Sequence, residues 1–150
     1  MNHILIRKAN ESDLPTIEKI MIELINSMDN KEGIDASAVL ENCQSLLKEN
    51  NSHLLIAEIN REMVGFINFT IRRTILHSGP SGLIDEIVVT RNYRGKGVGK
   101  QLLIGAAIEK CKQLGCCEVE VTTELTNVNA REFYKRCGFE ERGVILEKDL

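Results

Sequence analysis

The chain has 150 residues, of which 43% are apolar and 27% charged, with a formal net charge of −3. That size and apolar share suit one domain with one core, and so mild a charge argues against nucleic acid or an anionic membrane as the main partner. No apolar run approaches the ~20 residues that span a bilayer, and the opening MNHILIRKANESD lacks the long apolar run of a signal peptide, so a cytoplasmic location is expected.

Ile4 to Arg7 predicts a short strand. Asn10, with Asp13 three residues on and Pro15 after it, predicts a helix start. Leu14, Ile17, Met21, Leu24, Ile25 and Met28 then recur at helical spacing. Residues 29–35 read as a loop, and a second helix runs from about Ser37 to Lys48, with Val39, Leu40, Leu46 and Leu47 as its apolar part. HLLIAEI (53–59), the turn NRE and MVGFINFTIRR (63–73) read as a hairpin. HSGPSG (77–82) reads as a loop and LIDEIVVT (83–90) as a further strand. After a glycine-rich loop, a helix runs to about Leu114 and stops at Gly115. CCEVEVTT (116–123) alternates, which places Cys117, Val119 and Val121 on one face. Asn129 with Glu132 predicts a capping box for a short helix, NAREFYKRC. Gly138 ends it, and FEERGVILEKDL gives a last strand. The order β-α-α-β-β-β-α-β-α-β predicts an α/β domain over residues 1–150, with a mixed sheet flanked by helices.

The five cysteines (Cys43, Cys111, Cys116, Cys117 and Cys137) include no C-x-x-C pair, and His3, His53 and His77 are scattered. Reduced thiols and no metal site are expected.

The loop RNYRGKGVG (91–99) joins an apolar strand to a helix. Unpaired N–H groups and the positive end of the helix dipole make such a turn an anion site. Glycine lets the backbone approach a ligand closely, and Arg91, Arg94, Lys96 and Lys100 add positive charge. The dinucleotide fingerprint fails, because position 100 is lysine where its third glycine belongs. The P-loop fails too, with Arg94 and Gln101 at two of its required positions.

The pattern that fits is Arg94-x-x-Gly97-x-Gly99, which resembles the R/Q-x-x-G-x-G/A signature of the GNAT superfamily of acetyl-CoA-dependent N-acetyltransferases. NVNAREFYKRCGFEE resembles that family's C-terminal N-x-x-A-x-x-F-Y-x-x-x-G-F-x-E, with Asn127, Ala130, Phe133, Tyr134, Gly138, Phe139 and Glu141 in place. The resemblance implies a single-domain GNAT fold, a mostly antiparallel mixed sheet with a V-shaped splay between strands 4 and 5 at a bulge. It implies acetyl-CoA as cosubstrate, with its pyrophosphate on the backbone of Arg94, Gly95, Lys96, Gly97, Val98, Gly99 and Lys100. The pantetheine arm would pair with the free strand edge at Ile87, Val88 and Val89, where a backbone N–H would polarise the acetyl carbonyl. Asn127 would bind the pantetheine or adenine side, or serve only as a cap. A noncatalytic acyl-CoA-binding or sensor domain fits the same motifs.

Acetyl transfer to an amine needs a neutral amine, a polarised thioester and a proton for the leaving thiolate. Asp85 and Glu86 adjoin the expected site. Strand alternation sends them to opposite faces, so one of them faces the acetyl group as general base; the plain alternative is a pair of strand-end carboxylates. By the resemblance, Tyr134 donates the proton to the thiolate; the alternative is an aromatic packed under the sheet. By the resemblance, the regions that select the acceptor carry Glu23, Asp29, Glu32 and Asp35, an acidic rim suited to a cationic amine or else a solvated helix face, and His77, which lines the acceptor pocket or lies on the surface. A small-molecule amine is expected, with a protein N-terminus or lysine as the alternative and a second copy of the chain as an allowed partner.

Overall fold

A computed structural model describes residues 3–150. β1 (Leu5–Lys8) leads to Asn10, whose side chain accepts from the Ser12 N–H while Asp13 accepts from the Asn10 N–H. This capping box opens a short 3-10 turn that runs into α1 (Leu14–Ser27), with Pro15 in its first turn, where a missing N–H costs nothing. Ile20 joins the expected Leu14, Ile17 and Ile25 in the core, whereas Met28 lies beyond the helix end and is exposed. Asp35 caps the 3-10 turn before α2 (Val39–Lys48), whose buried residues are Val39 and Cys43. β2 (Ser52–Ile59) and β3 (Glu62–Arg72) form the hairpin. Asn60 and Arg61 turn it with φ of 51° and 67°, the left-handed pair that matches strand twist.

β4 (Ser81–Val89) begins two residues earlier than the sequence suggests, and Ser81 and Gly82 are buried strand rather than loop. The glycine loop leads into α3 (Val98–Lys100), a π-helical run (Gln101–Ile108) and α4 (Glu109–Gln113), which form one continuous rod. Gly115, at φ +78°, ends it. β5 (Glu118–Val121) and α5 (Val128–Arg136) follow.

The five strands lie in the order β1-β2-β3-β4-β5, antiparallel except for the parallel β4–β5 pair. On one face Leu54, Ile56, Phe66 and Val88 pack with Leu14, Ile17 and Ile25 of α1 and Val39 and Cys43 of α2. On the other, Ala57, Ile67, Phe69 and Ile84 pack with Val98, Leu102, Leu103, Ala107 and Cys111 of the long rod. β5 pairs with β4 only from Ser81 to Ile84. Beyond Ile84, β4 has no neighbour on that side among the described residues, and this is the V-shaped splay.

Three further expectations need correction. Residues 139–150 form no strand, and every residue from Glu140 to Leu150 is exposed. Val144, Ile145 and Leu146 suit a strand, but strand propensity is expressed only against a partner edge. The helix cap is Asn127, not Asn129: Asn127 Oδ1 accepts from the Ala130 N–H at 3.1 Å. Cys117 does not share the face of Val119 and Val121. The strand starts at Glu118, so Cys116 packs into the core while Cys117 is exposed, its thiol donating to the Gly79 carbonyl.

Candidate active site

The splay exposes the outer edge of β4 from Asp85 to Val89. At its start the β3–β4 register slips: Asn68 faces Glu86 and Phe69 faces Ile84, which leaves Asp85 unpaired in a β-bulge. The bulge overturns the expected alternation. Thr70 Oγ1 donates to Asp85 Oδ2 at 3.1 Å and Asn68 Nδ2 to Glu86 Oε2 at 2.9 Å. Asn68 and Thr70 are two apart on β3 and share a face, so both carboxylates lie on the α1–α2 face. Both are exposed to solvent yet crowded by protein. Desolvation pushes the two carboxyls above their ordinary range; the Thr70 and Asn68 hydrogen bonds oppose this, and the Asp85 charge adds to the rise at Glu86. Asn68 and Thr70 carry no sequence motif, and only the register of the β3–β4 pair brings them to the carboxylates.

Past the bulge, Ile87 and Val89 turn toward the long rod and Val88 toward α1 and α2. The loop that follows is built by its glycines. Gly95 and Gly97 have φ of +73° and +88°, where a side chain would be strained. Among the described residues, the N–H groups of Gly95, Lys96, Gly97, Val98, Gly99 and Lys100 have no backbone acceptor outside the helix, and those at a helix start have none within it. The Arg94 N–H is instead engaged with the Arg91 carbonyl at 3.4 Å, and Arg94 Nε donates to the Val89 carbonyl at 2.9 Å. Lys96 Nζ lies 5.3 Å from the centre of the Tyr93 ring, and Lys100 is exposed. Val98 is buried and anchors the loop to the core.

Gly99 brings α5 to this loop: a Cβ there would meet Phe133 Cζ at 3.4 Å. The next residue, Tyr134, is half-buried and packs edge-on to Phe133 and Phe139, at 5.3 and 5.9 Å between ring centres. It belongs to the same apolar cluster as Ile87 and Val89. Among the described residues none hydrogen-bonds its hydroxyl, and burial pushes the phenol above its ordinary range, so it keeps its proton near neutrality. Asn127 is exposed, with its side-chain oxygen spent on the cap.

Of the acceptor-side residues, Glu23, Asp29 and Glu32 are exposed, while Asp35 is committed to its cap. His77 sits on the surface between Thr74, 2.8 Å from its Nδ1, and Glu118, 3.4 Å from its Nε2. A separate open pocket of about 410 Å³ lies beside α1, lined by Arg7, Asp13, Lys19, Glu23, Glu58 and Thr90 among others, and contains neither β4 carboxylate. Among the described residues there is no cluster able to hold a metal ion, and no helix is long and apolar enough to cross a membrane.

The comparisons agree with this fold. The chain is 29% identical over 145 residues to an aminoalkylphosphonate N-acetyltransferase of Salmonella typhimurium, covering 97% of this chain and 90% of that protein. It is 31% identical over 112 residues to an aminoglycoside N(6')-acetyltransferase of Stenotrophomonas maltophilia, covering 71% and 72% of the two chains. Its fold matches an aminoglycoside N-acetyltransferase AAC(6')-Iy in complex with CoA, with a TM-score of 0.85 and 25% identity over 99% of this chain and 96% of that one. A family model described as the acetyltransferase (GNAT) family matches residues 18–139, so that the splayed β4, the glycine loop and the Tyr134 helix are those of a chain that belongs to the GNAT acetyltransferase family.

Proposed function

We propose that this enzyme transfers an acetyl group from acetyl-CoA to the primary amine of a small molecule, by direct attack while both are bound. The observation that carries the reading is the open edge of β4 from Asp85 to Val89, flanked by the unpaired N–H groups of the glycine loop and by the free Tyr134 hydroxyl. Acetyl-CoA supplies an activated acyl group on a thiol leaving group. The N–H groups from Gly95 to Lys100 hold its pyrophosphate, with Lys96 and Lys100 supplying charge. Backbone N–H and C=O groups of Ile87, Val88 and Val89 take the pantetheine arm as an added strand. One of those N–H groups serves as the oxyanion donor.

Glu86 is the general base, with Asp85 beside it. A carboxyl pushed up by burial accepts a proton more readily at neutral pH. Tyr134 protonates the departing thiolate. The acceptor enters on the α1–α2 face, where both carboxylates lie, and the exposed Asp29 and Glu32 between the two helices favour a cation. The names of the relatives make aminoalkylphosphonates and aminoglycosides the amine classes to try first.

The assembly we infer is a homodimer. Among the described residues the outer edge of β5 is open, and residues 143–147 form an unpaired segment in which Val144, Ile145 and Leu146 are 84%, 55% and 92% exposed. Two copies exchanging that segment would satisfy both surfaces at once.

Calorimetry should show CoA and acetyl-CoA binding in preference to ATP and NAD. Thiol release from acetyl-CoA across an amine panel should then name the acceptor. Binding without turnover on any amine would instead support a CoA sensor.

A further inference from the structure

We propose that Asn68 is a positioning residue for the transfer reaction, holding the Glu86 carboxylate in the orientation from which it receives the proton of the acceptor amine. The proposal rests on the reading of Glu86 as the base. Asn68 is only 5% exposed, yet it is polar and lies in line with Leu54 on β2 and Glu86 on β4. Leu54, Phe66 and Val88 around it are core residues packed against α1 and α2. Its amide orientation follows from chemistry: the carboxylate accepts, so Nδ2 faces Glu86, and Oδ1 must point the other way. That oxygen is buried and has no hydrogen-bond partner among the described residues.

A buried acceptor left unpaired is destabilising by about as much as one hydrogen bond to a charged carboxylate returns, so the pair adds little net stability. An aliphatic side chain would serve the core better. What Asn68 provides is a fixed donor to one oxygen of Glu86, beside the bulge that brings Asp85 to the same face. The groups facing Glu86 are Asp85 on its own strand, with Thr70 holding that carboxylate, and the Cys43 thiol of α2, whose proton is held more tightly by burial first and then by the charges of Glu86 and of Glu18 on α1. Among them Asn68 is the group that donates to Glu86 and favours its ionised form.

The test is Asn68→Leu, read in three ways. The acid limb of the kcat/KM profile should move to higher pH by about one unit, because the lost hydrogen bond had favoured the ionised base. An NMR titration of the Glu86 side-chain carboxyl should move the same way. The denaturation midpoint should equal or exceed that of the wild type. An unmoved Glu86 titration and an unmoved limb would overturn the proposal and leave Asn68 a packing residue. Wild-type turnover in Glu86→Gln would overturn the base reading instead, and the positioning role of Asn68 in the transfer with it, while the NMR titration still decides whether Asn68 sets that carboxyl. Should the leucine variant not fold, Asn68→Val and Asn68→Thr repeat the comparison. The two have equal shapes suited to a strand, and only threonine keeps a donor; equal limbs in the two would overturn the proposal.

Discussion

Gly65 lies so close to Val88 that a Cβ built on it would stand 2.6 Å from the Val88 carbonyl oxygen. The position is buried in β3 opposite the end of β4, and the neighbour is backbone, which cannot swing aside. Gly65→Ala should therefore push the two strands apart and lower stability by about 1–3 kcal/mol. Because Val88 belongs to the edge assigned to the pantetheine arm, affinity for acetyl-CoA should fall as well. Urea denaturation and calorimetry on the same preparation check both effects.

Tyr134→Phe should lower kcat and leave the affinity for acetyl-CoA nearly unchanged. The hydroxyl matters only as charge builds on the leaving sulfur. General-acid help of this kind is typically worth about 10²–10⁴-fold, less whatever water replaces. The ring keeps its edge-on contacts with Phe133 and Phe139, so folding should be little affected. Single-turnover rates on folded protein read the chemical step directly, and a wild-type rate would remove Tyr134 from the mechanism.

Asp13→Asn should destabilise the protein at neutral pH. Arg7 donates to both oxygens of Asp13 at 2.8 Å, and the carboxylate also accepts from the Asn10 N–H. A hydrogen-bonded charge of this kind contributes about 1.5–3 kcal/mol, at the lower end here because Arg7 is partly exposed. The Arg7 guanidinium holds the Asp13 carboxyl below its ordinary range. The contribution is thus full above the unfolded pKa and fades as pH falls through the folded one. Denaturation midpoints across the acid range should show the gap between variant and wild type closing as the pH falls.

Ile145→Pro should convert the proposed homodimer to a monomer while leaving CoA binding intact. Proline removes a ladder donor and is excluded from paired strands. Analytical ultracentrifugation gives the mass, and hydrogen exchange at residues 118–121 and 143–147 shows whether those edges are protected only in the dimer. A wild-type monomer at tens of micromolar would sink the exchange model.

The glycine spacing and the Asn127-to-Glu141 pattern named the family, and apolar periodicity placed the strands of the sheet and the main helices. Those signals are local: a positive φ demands glycine, and a buried face demands apolar residues at a fixed period. The family resemblance implies a bulge where β4 splays, but its place at Asp85 was not legible in the residues, because it is a mismatch between two strands joined by a long connection, and each strand alone looks regular. For the same reason alternation misplaced Asp85 and Glu86, and nothing in the chain around Asn68 marked it as the partner of Glu86. The tail failed in the opposite sense. Val144 to Leu146 carry the strand preference that composition reports, but a strand exists only where an edge is hydrogen-bonded to it, and that depends on which surfaces meet in three dimensions.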